Sequence, residues 1–142
     1  MDAEQLREPY RCVSRVHWDE LDPMGILHNA RYQVHAERAV GTFFADFVSE
    51  ADLFHAVRRF EIDYRQPLRG QGTIQVELWL EHLGRTSTRH GFALLDGAGR
   101  VLASGARAVV KIDPADFRPV GWSDTWRSEH LNRLRTKPSI PI

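Results

Sequence analysis

Asp22 lies just before the start of an apolar helix, and the two features together could act on a carbonyl group. The aspartate belongs to the loop Asp22-Pro23-Met24-Gly25, whose residues favour turns. The first N–H groups of a helix have no internal partner and can stabilise an oxyanion. A carboxylate beside them can act as a general base or as a nucleophile. The segment therefore suits acyl transfer, although an aspartate in this position can also simply cap the helix.

The helix after this loop is predicted from apolar residues that recur at i, i+3, i+4 and i+7. The stripe begins at Tyr32 and continues through Ala36, Ala39, Val40, Phe43, Phe44, Phe47 and Val48, which predicts about five turns. The opposite side is expected to be polar and carries His35, Arg38, Thr42, Asp46 and Ser49. Before the helix, Asp19 and Glu20 are expected to be solvated loop charges. The three phenylalanines predict that this helix packs in the core.

Alternation of apolar and polar residues with a period of two predicts about five strands. The predicted strands are Tyr10–Trp18 before the helix, and 59–65, 74–81, Ser87–Leu95 and Val101–Ile112 after it. In the first strand, Tyr10, Cys12, Val16 and Trp18 are expected on the buried side. One strand, one long helix and four antiparallel strands predict an α+β protein with the helix against one face of the sheet.

We expect one domain over residues 1–142, with a core of about 10–112 and a C-terminal extension over 113–142. The extension is predicted to hold a short helix, Ser123–Arg135, capped by Ser123, and a frayed extended tail from Lys137 onward. A sheet of this kind has open edges. Pairing with a second copy, as a homodimer or homotetramer, is expected to cover them.

Composition argues against several classes of function. Nineteen basic residues balance nineteen acidic ones, so no nucleic-acid partner is expected. The longest stretch without a charged residue has eight residues, whereas a membrane-spanning helix needs about 20. The polar N-terminus and the single cysteine, Cys12, predict a cytoplasmic protein without disulfides. The seven histidines are scattered without metal-ligand spacing, so no metal is expected. No cofactor is expected either.

The segment that contains Asp22 resembles the signature of the 4-hydroxybenzoyl-CoA thioesterase-like branch of the hot-dog-fold superfamily. The resemblance is carried by Asp22-Pro23-x-Gly25-Ile26 with Tyr32, by Glu37-Arg38-Ala39, and by the turn Leu83-Gly84-Arg85-Thr86-Ser87. The order of elements from Tyr10 to Ile112 is similar as well. The resemblance implies a hot-dog fold, an antiparallel sheet of about five strands wrapped around one long central helix. It also implies an enzyme that hydrolyses an acyl-CoA thioester to a carboxylic acid and free CoA.

The resemblance implies roles for individual residues. Asp22 would be the nucleophile or general base, and the Asn29 N–H would meet the thioester carbonyl as part of an oxyanion hole. One branch of the family has histidine at the position of Asn29, whereas here His28 stands one residue earlier and is a further candidate. Glu37 is a reserve catalytic acid. The expected substrate-binding residues are Gly25, Met24, Ile26, Tyr32, Arg65, Arg69, Arg85 and Ser87, with the arginines on the CoA phosphates and Ser87 bordering the site across a dimer interface.

Three alternatives remain open. The acyl chain could be delivered by an acyl-carrier protein rather than by CoA. The protein could bind acyl thioesters without turnover, as a partner in a biosynthetic pathway. It could also be a hydratase or dehydratase of acyl thioesters. The last group has histidine five residues after its aspartate, whereas Asp22 and His28 are six apart.

Overall fold

The structure of the protein, a computed structural model, describes residues 2–142. Over these residues the chain forms one antiparallel sheet of five strands in the order β1-β3-β4-β5-β2. The strands are β1 Tyr10–Val16, β2 His55–Tyr64, β3 Gly72–Leu83, β4 Ser87–Leu95 and β5 Val101–Lys111. The helices are α1 Ala3–Leu6, α2 Tyr32–Phe44, α3 Glu50–Leu53 and α4 Asp124–Arg133, with 3-10 turns at Trp18–Glu20 and Asn29–Arg31. Within residues 2–142, no helix has both the length and the apolar character needed to cross a membrane.

Helix α2 packs across one face of the sheet, as the apolar stripe predicts. Its alanines at 36 and 39 bring the helix close to the sheet, and Phe43 is fully buried. The main apolar core consists of this helix face and of side chains from β1, β3, β4 and β5, among them Val16, Val76, Leu78, Phe92, Leu94 and Ala103. The predicted α+β class with the helix on one face of the sheet is confirmed.

The long helix is shorter than its apolar stripe. It ends at Phe44, where the N–H groups of Phe47 and Val48 turn back to the Phe44 carbonyl at 3.2 and 2.9 Å. Ser49 then caps α3 by accepting a hydrogen bond from the Asp52 N–H at 3.1 Å. Phe47 still packs against Phe43, with 5.3 Å between ring centroids, so the stripe continues through the turn. Periodicity alone therefore overestimated the length of the helix.

The first strand is also shorter than predicted. Strand β1 ends at Val16, and Trp18 begins a 3-10 turn with 75% of its surface exposed. The expected burial of Trp18 is therefore wrong, because the strand ends two residues before it. Ser14 is the buried residue that shares the helix-facing side with Val16.

The C-terminal extension is more ordered than its sequence suggests. Ser123 caps α4 as predicted, since its hydroxyl accepts a hydrogen bond from the Trp126 N–H at 3.1 Å. The predicted fraying of the tail is wrong at Ser139. The N–H and hydroxyl of Ser139 donate to the buried Glu77 carboxylate at 2.8 and 2.6 Å. Arg11 donates to the same carboxylate at 2.9 Å, so the tail helps to satisfy a buried charge.

Candidate active site

Asp22 lies in a tight loop that leaves part of its carboxylate free. Oδ1 accepts hydrogen bonds from the N–H groups of Met24 and Ile26 at 2.8 and 3.2 Å. Oδ2 accepts no hydrogen bond within residues 2–142. Gly25 has φ of 78°, a left-handed conformation that favours glycine, and its N–H donates to the Asp22 carbonyl at 2.9 Å. Asp22 therefore does not cap the helix, and one oxygen of its carboxylate remains available.

A second segment holds this loop in place. The Leu27 N–H donates to the Leu68 carbonyl, and the Gly70 N–H donates to the Gly25 carbonyl, both at 2.9 Å. Ile26 forms an isolated antiparallel bridge with Arg69 between these two bonds. The loop is thus tied to the connection between β2 and β3, so the position of Asp22 is fixed from two sides.

The helix start contributes a free amide. The 3-10 turn Asn29–Arg31 runs directly into α2, where the sequence predicted an α-helical start. His28 caps this turn, since its Nδ1 accepts a hydrogen bond from the Ala30 N–H at 3.1 Å. The Asn29 N–H has no acceptor within the described part of the chain, whereas the Asn29 carbonyl accepts a hydrogen bond from the Tyr64 hydroxyl at 2.9 Å. Asn29 therefore presents an unpaired donor.

An open cleft of about 300 Å³ brings Asp22 and Asn29 together. Its lining is Asp22, Ile26, Leu27, Asn29, Tyr32, Tyr64, Arg65, Gln66 and Pro67. The rings of Tyr32 and Tyr64 meet edge to face, 5.1 Å apart, and burial raises the pKa of Tyr32 so that it stays a neutral phenol. Sequence reasoning missed Tyr64, because its place in an alternating strand gives no sign that it reaches the Asp22 loop.

Other predicted site residues lie outside this cleft. His28 borders a separate cavity with Asp19 and Glu20. Glu37 lines a further cavity, where it accepts hydrogen bonds from Gln33 at 2.9 Å and from Arg107 at 3.4 Å. Met24 is 77% exposed, and Gly25 and Arg69 shape the loop rather than line the cleft. Among residues 2–142, no group of three His, Cys, Asp or Glu side chains is placed to hold a metal ion.

Arg85 and Ser87 lie far from Asp22 within one chain. Arg85 lies in the turn between β3 and β4, and Ser87 begins β4, whereas the Asp22 loop is tied to the segment just before β3. The twelve residues of β3 separate the two ends, a distance of roughly 36 Å for an extended strand. Arg89, a further arginine near the turn, pairs with Glu61 and with Glu81 on the sheet. A site that uses both ends of the sheet would need two copies of the chain.

Two residues expected to be solvated are buried beside the Asp22 loop. Glu20 is 5% exposed, and His35, expected on the polar side of α2, is fully buried. His35 Nε2 lies 2.8 Å from Glu20 Oε1, and His35 Nδ1 lies 2.5 Å from the hydroxyl of Ser14 on β1. The His17 N–H donates to Glu20 Oε2 at 2.7 Å. Both expectations were wrong because each group finds its partner on a different element of the fold.

The chain matches known proteins along most of its length. A model of the thioesterase-like superfamily matches residues 16–127. YneP of Bacillus subtilis (strain 168), a proposed acyl-CoA thioesterase, is 25% identical over 129 residues, which cover 86% of this chain and 93% of YneP.

Solved structures share the fold. A hypothetical protein from Staphylococcus aureus, solved in complex with CoA, superposes with a TM-score of 0.83 at 13% identity, over 96% of this chain and 90% of that one. A 1,4-dihydroxy-2-naphthoyl-CoA thioesterase from Synechocystis gives a TM-score of 0.79 at 10% identity, over 88% and 97% of the two chains. At these identities the likeness concerns the fold alone.

Proposed function

The chain belongs to the thioesterase-like superfamily and has the hot-dog fold, and from this premise we propose that it hydrolyses an acyl-CoA thioester at the Asp22 cleft. The predicted family and fold are confirmed, and a thioester hydrolase is confirmed at the level of that family. The acyl-CoA substrate and the roles of individual residues belong to the proposal.

One arrangement supports the mechanism: Asp22, which has one carboxylate oxygen without a hydrogen bond, and Asn29, whose N–H is unpaired, line the same cleft. With the thioester carbonyl at the Asn29 N–H, Asp22 takes a proton from water as the water attacks the carbonyl carbon. The oxyanion that forms accepts a hydrogen bond from Asn29, and its collapse breaks the C–S bond. Asp22 then returns the proton to the departing thiolate, and CoA leaves as the free thiol. Alternatively, the Asp22 carboxylate attacks the carbonyl carbon first, and cleavage of the C–S bond releases the CoA thiolate and leaves a mixed anhydride. Water then hydrolyses the anhydride, which frees the carboxylic acid, regenerates the Asp22 carboxylate and supplies the proton of the CoA thiol.

The substrate is proposed from the cleft and from the relatives. Arg65 lines the cleft and Arg69 lies beside its loop, so both could meet phosphates at its mouth. The relative YneP is named for acyl-CoA, and the Staphylococcus aureus protein was solved with CoA. Ile26, Leu27 and Tyr32 offer an apolar wall to an acyl group. Glu37 and His28 border other cavities and are less suited to direct contact with the thioester in this cleft.

We also propose that the working unit contains at least two copies. Strand β2 is an edge of the sheet, and its segment Ala56–Arg59 is exposed. Antiparallel pairing of two such edges would bring the His55 end of one β2 beside the Tyr64 end of the other. Within one chain, Ser87 pairs with Val110 of β5, and the adjacent Lys111 pairs with His55, so Ser87 lies at the His55 end of the sheet. In the paired edges this end meets the Tyr64 end of the other copy, and the partner's Ser87 would therefore approach the Asp22 cleft.

The proposed assembly can be tested with one charge on each edge of the sheet. Val57→Lys, on β2, is expected to give a monomer with lost hydrolysis, because each copy would then place a lysine on the edge that the two copies share. Val13→Lys changes an exposed valine on β1, the opposite edge of the sheet, and is expected to leave a dimer or dimer of dimers. Light scattering during size-exclusion chromatography gives the mass. A wild-type monomer with full activity would contradict the proposal.

The function is tested by a panel of acyl-CoA esters of different chain length and of aromatic acyl groups. Release of the CoA thiol is measured with a thiol-reactive chromophore, and at least one ester is expected to be turned over. Tight binding without turnover would favour a binding partner instead. Turnover confined to acyl-carrier-protein thioesters would identify the other carrier, and addition of water to an enoyl-CoA would identify a hydratase.

A further inference from the structure

We propose that Ser14, His35 and Glu20 form a buried hydrogen-bonded relay that fixes the spacing between the Asp22 carboxylate and the Asn29 amide. The inference rests on the proposed function, because the spacing matters only if both groups act on one carbonyl. Glu20 and His35 would then be positioning residues, since neither touches the substrate.

The relay joins three elements that meet behind the Asp22 loop and the start of α2. Ser14 lies on β1, Glu20 ends the 3-10 turn before the Asp22 loop, and His35 lies on α2. All three side chains are buried, at 5%, 5% and 0% exposure. Polar groups are costly to bury unless each finds a hydrogen-bond partner, and here each of them does. The three elements are therefore held in one arrangement.

The hydrogen bonds impose a direction on the relay. Glu20 Oε2 accepts the His17 N–H and Oε1 lies beside His35 Nε2, so an ionised Glu20 requires His35 to carry its proton on Nε2. The Nδ1 lone pair then accepts the Ser14 hydroxyl proton. Burial lowers the pKa of His35, which keeps the ring neutral; the charged or titratable groups that act on it are Glu20, Arg38 and His17. Burial alone would raise the pKa of Glu20, but the His17 and His35 hydrogen bonds outweigh it and lower that pKa.

Glu20 also lies where the loop that carries Asp22 begins. Its carbonyl accepts the His28 N–H at 3.0 Å, Leu21 bridges Leu27, and the Asp22 N–H donates to the Ile26 carbonyl at 2.8 Å. These contacts form a short ladder in which Asp22 stands two residues from Glu20, and Asn29 follows His28. A shift of the Glu20 side chain would therefore move both reacting groups.

His35 connects the same ladder to α2. It lies on the first turn of α2, after the 3-10 turn that begins with Asn29, so its bond to Glu20 holds the helix start against the loop. A serine, a histidine and an acid joined in this order by hydrogen bonds resemble a nucleophilic triad. Here, however, the Ser14 hydroxyl is buried and hydrogen-bonded, so substrate has no access to it. The contacts support positioning rather than attack by Ser14.

Variants of Glu20 give the sharpest test. Glu20→Asp keeps the charge but shortens the side chain by one methylene, and is expected to lower kcat about 10- to 100-fold with KM within about twofold, because misplaced reacting groups are slow. Glu20→Gln is expected to keep kcat within about threefold of the wild-type value. Its amide can donate to His35 Nε2 and its oxygen can accept the His17 N–H, while Nδ1–H donates to Ser14, so the relay is rebuilt in reverse. His35→Phe removes the middle of the relay and should resemble Glu20→Asp.

A double-variant cycle separates positioning from general loss of structure. In an Asp22→Asn background, Glu20→Asp is expected to add no further loss of kcat, because its effect acts through Asp22. Asp19→Asn, on the exposed neighbouring residue, is the matched control. Thermal unfolding shows whether each variant is folded. If His35→Phe does not fold, the kcat of Glu20→Asp alone tests the relay.

The outcomes distinguish the two proposals. Wild-type kcat in Glu20→Asp, a rise in KM alone, or an equal further loss in the Asp22→Asn background would overturn the relay and leave the proposed function standing. A wild type that hydrolyses no thioester, or an Asp22→Asn variant with full activity, would overturn the proposed function and the positioning role with it. Nitrogen-15 NMR of the histidine rings tests the relay without turnover. A neutral His35 protonated on Nε2 supports it, and a ring protonated on Nδ1 contradicts it.

Discussion

Asp22→Asn is expected to lower kcat for thioester hydrolysis about 10²- to 10⁴-fold, the usual contribution of a general acid–base group. The amide oxygen of asparagine can still accept the N–H groups of Met24 and Ile26, so the loop should keep its shape. The amide nitrogen replaces the free oxygen and can neither take a proton from water nor attack a carbonyl. The variant therefore changes the chemistry while it preserves the geometry, and kcat from the thiol-release assay measures the effect.

Asp19→Asn is the control for this prediction. It removes a carboxylate three residues away that lies in the exposed turn and borders a different cavity. We expect its kcat and KM to match the wild type, and circular dichroism should show both variants folded. If the two variants hydrolyse thioesters equally well, Asp22 is not the group that activates water or attacks the thioester.

The central part of the candidate site could be predicted from sequence because it is local. The turn formers around Asp22 and the apolar stripe from Tyr32 together predict a loop that runs into a core helix. Tyr64 and the relay could not be predicted this way. The helical spacing predicts that His35 lies on the polar side of α2, yet Glu20 and Ser14, distant in sequence, make its burial favourable.

The fold was predicted to a similar extent. Periodicity of two and of 3.6 identified the strands and the main helix, since both follow from side-chain direction along the chain. Strand order could not be read from it: β2 lies at the edge beside β5, although β3 follows it in sequence. The tail was also beyond local reasoning, because Ser139 is ordered by Glu77, a partner in the middle of the sheet.

Asp52→Ala is expected to lower the free energy of unfolding by about 3–5 kcal/mol, because it leaves a buried cation without its partner. Asp52 is 1% exposed, and its carboxylate accepts hydrogen bonds from Lys111 Nζ at 2.8 Å and from the Ser123 N–H at 3.2 Å. Lys111 is itself 7% exposed. The same carboxylate joins α3, β5 and the cap of α4, so its loss affects three elements.

The exposed pair of Asp46 and Arg133 provides the matched control for this buried one. Asp46→Ala removes an aspartate that lies 3.0 Å from Arg133 at the surface, and should change the denaturation midpoint little. A double variant, Asp52→Leu with Lys111→Met, should be more stable than Asp52→Ala, because no buried charge is left unpaired. Equal effects of Asp52→Ala and Asp46→Ala in urea denaturation would contradict this account.

Acid should remove the contribution of Asp52 in the wild type. Burial alone would raise the pKa of Asp52, but the hydrogen bonds from Lys111 and Ser123 outweigh it and lower that pKa from its ordinary value of 3.8. A carboxyl whose folded-state pKa is depressed stabilises the fold above its unfolded pKa and loses that effect as the pH falls through its folded pKa. The difference in unfolding free energy between wild type and Asp52→Ala should therefore be constant near neutral pH and shrink below about pH 4. A constant difference down to the acid limit would mean that Asp52 acts through packing and not through its charge.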